Sequence, residues 1–185
     1  MPRALFVYPN FPETFWGYQR ALRFIGINAT HPPLGLLTVA GMLPEDYEVR
    51  LNDLNVQPLD NSALSWADIV LTGGMMIQRP SVQKIVSQCK KASVPVAIGG
   101  PDATSSSQDL PAEAHLVLGE AESPSFIKGL DELITSDKRI ILDLRDDSPG
   151  ISEAPLPRYD ILNMKNYACL LYTSPSPRDA TLSRM

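Results

Sequence analysis

Two glycine pairs are the positions at which this sequence is best suited to bind a ligand. Gly73-Gly74 and Gly99-Gly100 each follow a short apolar run of the kind that forms a buried strand. Because glycine has no Cβ, the backbone at such a pair can approach a bulky ligand closely. Tight turning alone would explain a single pair, but two pairs at neighbouring strand ends favour ligand approach.

Residues at the other strand ends are weaker candidates for ligand contact. Asp53 and Asn55 close the second apolar run, where they could form a polar rim around a ligand or simply cap a turn. Gly119 and Glu120 end the fifth run. A carboxylate there could serve acid–base chemistry, although acidic residues near the start of a helix are also favoured by the helix dipole.

Several familiar kinds of site are excluded because their residues are missing. No G-x-G-x-x-G follows the first apolar run and no G-x-x-x-x-G-K-[ST] occurs, so the dinucleotide and P-loop signatures both fail. His31 and His115 are isolated, and Cys89 and Cys169 are too few for a disulfide framework or a structural zinc site. Cys89 falls in the apolar stripe of a helical pattern, which predicts a core residue. No catalytic or metal-ligating set is predicted.

The candidate residues lie at the ends of five apolar runs that alternate with helical patterns. Short β-rich runs separated by helices indicate βαβ units and a parallel sheet, whose buried strands are nearly continuous in Val, Ile, Leu and Ala. Ligands of such sheets bind beyond the carboxyl ends of the strands, where the candidates fall. The predicted strands span residues 4–8, 47–54, 68–73, 94–100 and 115–120, and the clearest helical patterns span residues 31–44, 79–93 and 123–136.

Length and composition indicate one globular domain. The chain has 185 residues, of which 44% are hydrophobic and 20% charged, which suffices for one sizeable core. A net charge of −5 with scattered basic residues argues against nucleic-acid binding. The apolar runs are far shorter than the roughly 18 residues that a membrane span needs. The N-terminus lacks the pattern of a secretory signal, so we expect a cytoplasmic protein.

Five stretches of the chain, in their order and spacing, resemble the N-terminal cobalamin-binding domain of cobalamin-dependent radical SAM proteins. They are "PPLGLLTVAGMLP", "VRLNDLNVQPL", "WADIVLTGGMMIQRPS", "VAIGGPDATS" and "LVLGEAE". The resemblance covers roughly residues 3–168. It implies an α/β, flavodoxin-like (Rossmann-like) fold with a doubly wound, five-stranded parallel sheet in the order 2-1-3-4-5. It also implies that cobalamin is the cofactor.

The resemblance assigns cofactor contacts to two strand ends. In the wider cobalamin-binding fold, a Ser-x-Leu after the third strand and a Gly-Gly after the fourth hold the corrin and its nucleotide tail. Thr72-Gly73-Gly74 takes the first place here and Gly99-Gly100 the second. The fold's Asp-x-His-x-x-Gly signature, whose histidine ligates cobalt, is replaced by "YPNFPETFWGY". The cofactor is therefore expected to bind without a histidine lower ligand.

The resemblance further implies that the chain is part of a larger enzyme. Residues 1–136 would form the cobalamin-binding domain, and residues 137–168 would be a proline-rich linker towards a missing radical SAM domain. In that family the second domain holds a [4Fe–4S] cluster that cleaves S-adenosylmethionine, and the parent would be methyltransferase-like or cyclase-like. Without the cluster cysteines, this part alone should not be catalytic.

Two other functions are compatible with the same residues. The first is a stand-alone, non-catalytic carrier or sensor that binds a corrinoid. The second is a flavodoxin-like domain that has lost cofactor binding and makes only protein contacts.

The last stretch of the chain, "CLLYTSPSPRDATLSRM", shares neither the pattern nor the composition of the rest. It resembles the translation of a transposon sequencing adapter. Residues 169–185 are therefore expected to be a sequencing artefact, with the natural sequence diverging after Ala168. A natural disordered tail rich in serine and proline is the alternative.

Overall fold

The chain divides into two compact units. A computed structural model describes residues 1–14, 19–24, 26–147, 150 and 155–168. The first unit comprises Met1–Pro12 and Pro33–Asn163, and the second comprises Glu13–Pro32 and Met164–Met185. All nine predicted site residues belong to the first unit. The predicted adapter segment, residues 169–185, lies outside the described residues.

The first unit is built on a parallel sheet of six strands in the order β2-β1-β3-β4-β5-β6. This arrangement confirms the predicted flavodoxin-like α/β fold and the order of its first five strands, and it adds one strand to the predicted five. The strands are β1 (Arg3–Tyr8), β2 (Glu48–Asp53), β3 (Ile69–Gly73), β4 (Val96–Gly99), β5 (His115–Gly119) and β6 (Ile141–Leu144).

The added strand lies in the segment that was predicted to be a linker. Ile141–Leu144 pairs in parallel with residues 116–119 of β5. Because β6 forms the edge of the sheet, Ile141 is 55% exposed and only Leu144 is fully buried. The sequence "ILDL" is short, and charged residues stand on both sides of it. It therefore lacks the continuous apolar character that revealed the other strands.

Helices cover both faces of the sheet. Apolar side chains of α2 (Leu34–Met42) and α6 (Pro124–Thr135) pack in one layer, and apolar side chains of α3 (Asn61–Trp66), α4 (Arg79–Ala92) and α5 (Gly100–Ser106) pack in the other. The helices predicted within residues 31–44, 79–93 and 123–136 are α2, α4 and α6. The short helices α3 and α5 were not predicted, because neither has an apolar stripe. No helix among the described residues is long and apolar enough to cross a membrane.

Strand alternation decides which side chains enter each layer. In β1, Ala4 and Phe6 face the layer of α2 and α6, whereas Leu5 and Val7 face the layer of α3, α4 and α5. The same alternation places Leu71, Ala97 and Val117 in the layer of α2 and α6. These side chains form one apolar surface of the sheet on that face.

The second unit contains α1 (Gln19–Phe24) and an isolated parallel bridge between Ala29 and Tyr167. The backbone amides of Asn28 and Ala29 both donate to the carbonyl of Asn166 at 3.0 Å, and the amide of Ala168 donates to the carbonyl of Ala29 at 2.9 Å. These hydrogen bonds join the segment after α1 to residues 166–168.

Candidate functional site

A cavity of about 640 Å³ lies at the carboxyl ends of the central strands, between the sheet and the layer of α2 and α6. Its lining comes from the ends of β1, β3, β4 and β5 and from α2, α5 and α6. Seven of the nine predicted site residues line it, namely Thr72, Gly73, Gly74, Gly99, Gly100, Gly119 and Glu120. The strand-end argument therefore brings most of the candidates to one place.

The inner wall of the cavity is apolar. Phe6, Leu71, Ala97 and Val117 line it from the sheet, and Phe126 lines it from α6. These residues all belong to the apolar layer between the sheet and the helices. An uncharged, flat or aromatic group would be stabilised there, whereas a charged group would lose its hydration without a partner.

Close packing explains three of the four paired glycines. A Cβ on Gly73 would lie 2.9 Å from the backbone oxygen of Gly99, and a Cβ on Gly74 would lie 2.9 Å from the side-chain Oε1 of Gln78. Gly100 has a φ of +85°, which L side chains rarely adopt. The turn at Gly100 and the close approach of the two loops at Gly73 therefore favour glycine whether or not a ligand binds, whereas a Cβ on Gly74 would displace the side chain of Gln78.

Gly99 differs from the other three. Its backbone is extended, with φ −120° and ψ −166°, and a Cβ there would meet only Val117 atoms at 3.7 and 3.8 Å. Strand alternation from Ala97 directs that Cβ towards the cavity side of the sheet. Nothing local forbids a side chain at Gly99, and a side chain there would enter the cavity.

The side chain of Thr72 is engaged with the protein. Its hydroxyl donates to the backbone carbonyl of Val7 at 2.7 Å, and the residue is 3% exposed. This hydrogen bond joins β3 to β1 just below the cavity mouth. The hydroxyl hydrogen of Thr72 is therefore committed to the sheet.

Thr104 connects two strand ends at the polar side of the cavity. Its hydroxyl donates to the carbonyl of Gly100 at 3.1 Å and accepts from the amide of Gly119 at 2.9 Å. Gly119 has a φ of +89°, and a Cβ there would lie 2.8 Å from backbone atoms of Leu144 and Arg145. Gly119 thus serves the packing of β5 against the end of β6, although it also lines the cavity.

Gln78 and Tyr8 are among the cavity-lining residues that sequence reasoning missed. Gln78 is 1% exposed; its Nε2 donates to the carbonyl of Pro9 at 2.7 Å, and its Oε1 accepts from the amide of Met75 at 3.0 Å. Tyr8 ends β1, and burial, followed by the charge of Asp53, raises the pKa of its hydroxyl. In the sequence, the only indication of a role for Gln78 was its place directly before Arg79-Pro80, where α4 begins.

Asp53 and Asn55 do not line the cavity. Oδ1 of Asp53 accepts from the backbone amide of Asn55 at 2.8 Å and from its Nδ2 at 2.7 Å. Oδ1 of Asn55 in turn accepts from the amide of Phe11 at 2.9 Å. The pair caps the turn after β2 and anchors the segment after β1, as the turn-capping alternative for these residues proposed.

No histidine is found among the cavity-lining residues that the structure describes. His115 is buried at the start of β5, far along the strand from the cavity mouth, and its Nδ1 accepts from the amide of Ile140 at 3.0 Å. Burial, and then the charge of Arg139, lowers the pKa of this imidazole. His115 therefore has a structural role.

A doubly wound parallel sheet with glycine-rich strand ends around an apolar cavity is typical of domains that bind a large organic ligand at the carboxyl edge of the sheet. Residues 23–125 match the model of the B12 binding domain, and the chain belongs to that family. The predicted cobalamin-binding function is confirmed by this match.

Two curated proteins are similar to most of the chain. An uncharacterized methyltransferase of Synechocystis sp. is 36% identical over 169 residues, which cover 89% of this chain and 31% of that protein. Hopanoid C-2 methylase of Rhodopseudomonas palustris is 29% identical over 180 residues, which cover 95% of this chain and 34% of that protein. The chain thus spans about a third of the length of these relatives. No solved structure matches it.

Proposed function

We propose that this chain binds cobalamin with the nucleotide tail of the cofactor against the apolar inner wall of the cavity and the corrin over the glycine pairs. The observation that carries the proposal is Gly99, whose extended backbone and open surroundings would accept a side chain, yet whose Cβ would enter the cavity. The flat base of the tail suits the wall formed by Phe6, Val117 and Phe126. The residues present therefore fit the cofactor.

The protein's own contribution is to bind and orient the cofactor. The backbone of Gly73-Gly74 and Gly99-Gly100 can approach the ligand closely, and the apolar wall excludes water from the tail. Because the described lining has no histidine, we propose that the protein supplies no imidazole to the lower face of the cobalt. When bound, cobalamin supplies a cobalt that can take up and release a methyl group.

We further propose that the parent protein is a cytoplasmic radical SAM methyltransferase. The two curated relatives are named as a methyltransferase and a methylase, and the chain spans about a third of each. In the parent, the remaining length would hold the [4Fe–4S] cluster and S-adenosylmethionine, together with most of the contacts to the substrate. The cofactor domain would then present cobalamin to that second domain of the same polypeptide.

A titration with hydroxocobalamin tests the proposed cofactor and its position. The 185-residue chain is titrated while the visible spectrum and the melting temperature are followed. We expect saturable binding with a base-off spectrum and a melting temperature that rises with free ligand. Absence of saturable binding would contradict the proposal.

Gly99→Val is the variant that tests the position of the tail. The branched side chain of the valine would enter the cavity, so we expect the affinity for hydroxocobalamin to fall by more than about tenfold while the chain remains folded. Gly129→Ala is the control, because it adds a methyl group in α6 next to only the flexible side chain of Leu142 and does not line the cavity. Equal affinities of Gly99→Val and the wild type would place the cofactor elsewhere.

A further inference from the structure

An ion pair connects the two loops that carry the glycine pairs. The guanidinium of Arg79 donates to both carboxylate oxygens of Asp102, from Nη2 at 2.6 Å and from Nε at 3.0 Å. Arg79 begins α4, which follows Gly74 after a short 3-10 turn, and Asp102 lies in the first turn of α5, which begins at Gly100. The ion pair therefore joins the loop after β3 to the loop after β4.

The same two loops also meet through their backbones. The amide of Asp102 donates to the carbonyl of Gly74 at 3.1 Å. Gly73 and Gly99 are partners in the sheet register, and a Cβ on Gly73 would lie 2.9 Å from the oxygen of Gly99. The backbone amide of Asp102 thus contacts the Gly73-Gly74 loop. The carboxylate of Asp102 holds Arg79, the first residue of α4, the helix that follows this loop.

The ion pair is shielded from solvent. The side chain of Asp102 is 4% exposed and that of Arg79 is 19% exposed. The remaining Nη1 of Arg79 donates to Asp109 at 3.1 Å. Desolvation of a buried pair offsets much of the attraction between its charges, so such a pair adds little stability beyond that of apolar residues of similar size. A bidentate arginine, however, fixes the direction and the distance of the carboxylate.

We propose that the Arg79–Asp102 ion pair is a positioning device that sets the width of the cofactor cavity by holding the Gly73-Gly74 loop against the Gly99-Gly100 loop. Neither side chain lines the cavity, so the pair acts through the backbone of the two loops. The inference rests on the proposed function, because cobalamin is the ligand whose binding it affects.

Arg79→Lys is the central variant, since it keeps the positive charge but cannot form the two parallel hydrogen bonds. Arg3→Lys is the matched control. Arg3 forms a similar bidentate pair with Asp68, at 2.7 and 3.2 Å, at the amino edge of the sheet and away from the cavity. We expect Arg79→Lys to bind hydroxocobalamin about tenfold more weakly than the wild type, and Arg3→Lys to bind it equally well.

The double variant Arg79→Met with Asp102→Leu separates a role of the ion pair in positioning the loops from a role in the stability of the fold. Apolar residues can replace a buried ion pair without loss of stability, so this chain should remain folded. Because it lacks the directed hydrogen bonds, its affinity should also fall about tenfold, and the bound cofactor should show a changed visible spectrum. Circular dichroism and the melting temperature report the fold of every variant.

The outcomes distinguish this proposal from the proposed function. If the wild type shows no saturable binding, the proposed function is wrong and so is the role of the ion pair. If the wild type binds and Arg79→Lys binds within about twofold of it, the proposed function stands and the positioning role is overturned. Loss of the folded signal in both Arg79→Lys and the double variant would assign the ion pair to stability and also overturn the proposal.

Discussion

The hydroxyl of Thr72 donates a hydrogen bond of 2.7 Å to the backbone carbonyl of Val7, its partner in the register of β3 and β1. Family resemblance assigns Thr72 to cofactor contact, because it stands where related sequences have Ser-x-Leu. In the structure the hydroxyl hydrogen of Thr72 is used within the sheet. Thr72 can still accept a hydrogen bond from a ligand, but it cannot donate one without breaking its hydrogen bond to the carbonyl of Val7.

Thr72→Val is expected to weaken the fold more than the binding of the cofactor. The substitution keeps the shape of the side chain but leaves the buried carbonyl without its hydroxyl donor, which should lower the free energy of unfolding by about 1 kcal/mol. The dissociation constant for hydroxocobalamin should change by less than about twofold. Urea denaturation and absorption titration measure the two effects. A tenfold loss of affinity with unchanged stability would show that Thr72 contacts the cofactor directly.

Gly73→Ala should mainly lower the stability of the fold, whereas Gly99→Ala should mainly weaken cofactor binding. At Gly73 the new Cβ would lie 2.9 Å from a backbone oxygen of β4, so one of the two strands must shift, at a cost of about 1–3 kcal/mol. At Gly99 the new Cβ makes only ordinary contacts at 3.7 and 3.8 Å, and the free energy of unfolding should change by less than about 0.5 kcal/mol.

Urea denaturation of both glycine variants, followed by cofactor titration, checks this contrast. We expect Gly99→Ala to be folded and to bind more weakly, and Gly73→Ala to be unstable before any ligand is added. A reversed order of stability would mean that the packing of the two strand ends differs from the one described.

The buried strands could be predicted from the sequence because burial on both faces leaves a continuous apolar signal. All five predicted runs are strands, and each observed boundary lies within two residues of the predicted one. The edge strand β6 gives no such signal, since Ile141 and Asp143 face solvent. Helix α5 was missed because "GPDATSS" packs mainly through Ala103, so it has no apolar stripe.

The sequence could predict the site only where its residues lie at the carboxyl ends of strands that are neighbours in the sheet. Gly99 and Gly100 lie together at the cavity because a parallel sheet gathers its carboxyl ends at one edge. Asp53 ends the strand β2, at the far side of β1, and its carboxylate is used by Asn55. The Arg79–Asp102 ion pair joins residues that are 23 positions apart, and no local pattern reveals such a contact.

Cys89 should be unreactive in the native protein. It is fully buried in α4, and burial raises the pKa of its thiol to about 12, so the thiolate that reacts with alkylating agents is scarce at pH 8. We expect iodoacetamide to modify Cys89 only after unfolding in urea. Peptide mapping by mass spectrometry reports this residue separately from Cys169. Rapid modification without denaturant would show that α4 opens readily from the sheet.

His115 should make the stability of the fold depend on pH in the mildly acidic range. Burial and Arg139 lower the pKa of its imidazole in the folded state, and its Nδ1 must be unprotonated to accept from Ile140. The unfolded chain therefore binds a proton more readily than the folded chain. The stabilising effect is fully present above the unfolded pKa of about 6.5 and declines as the pH falls below it.

Urea denaturation at intervals between pH 7.5 and pH 5 measures this dependence. We expect the free energy of unfolding of the wild type to fall across the interval, and that of His115→Asn to fall less, because the asparagine oxygen can accept from Ile140 at every pH. His31→Asn is the control that removes the other, exposed histidine. Carboxylates that titrate in the same interval affect all three proteins alike, so the difference in slope isolates His115. Equal slopes for His115→Asn and the wild type would show that His115 does not protonate on unfolding in this range.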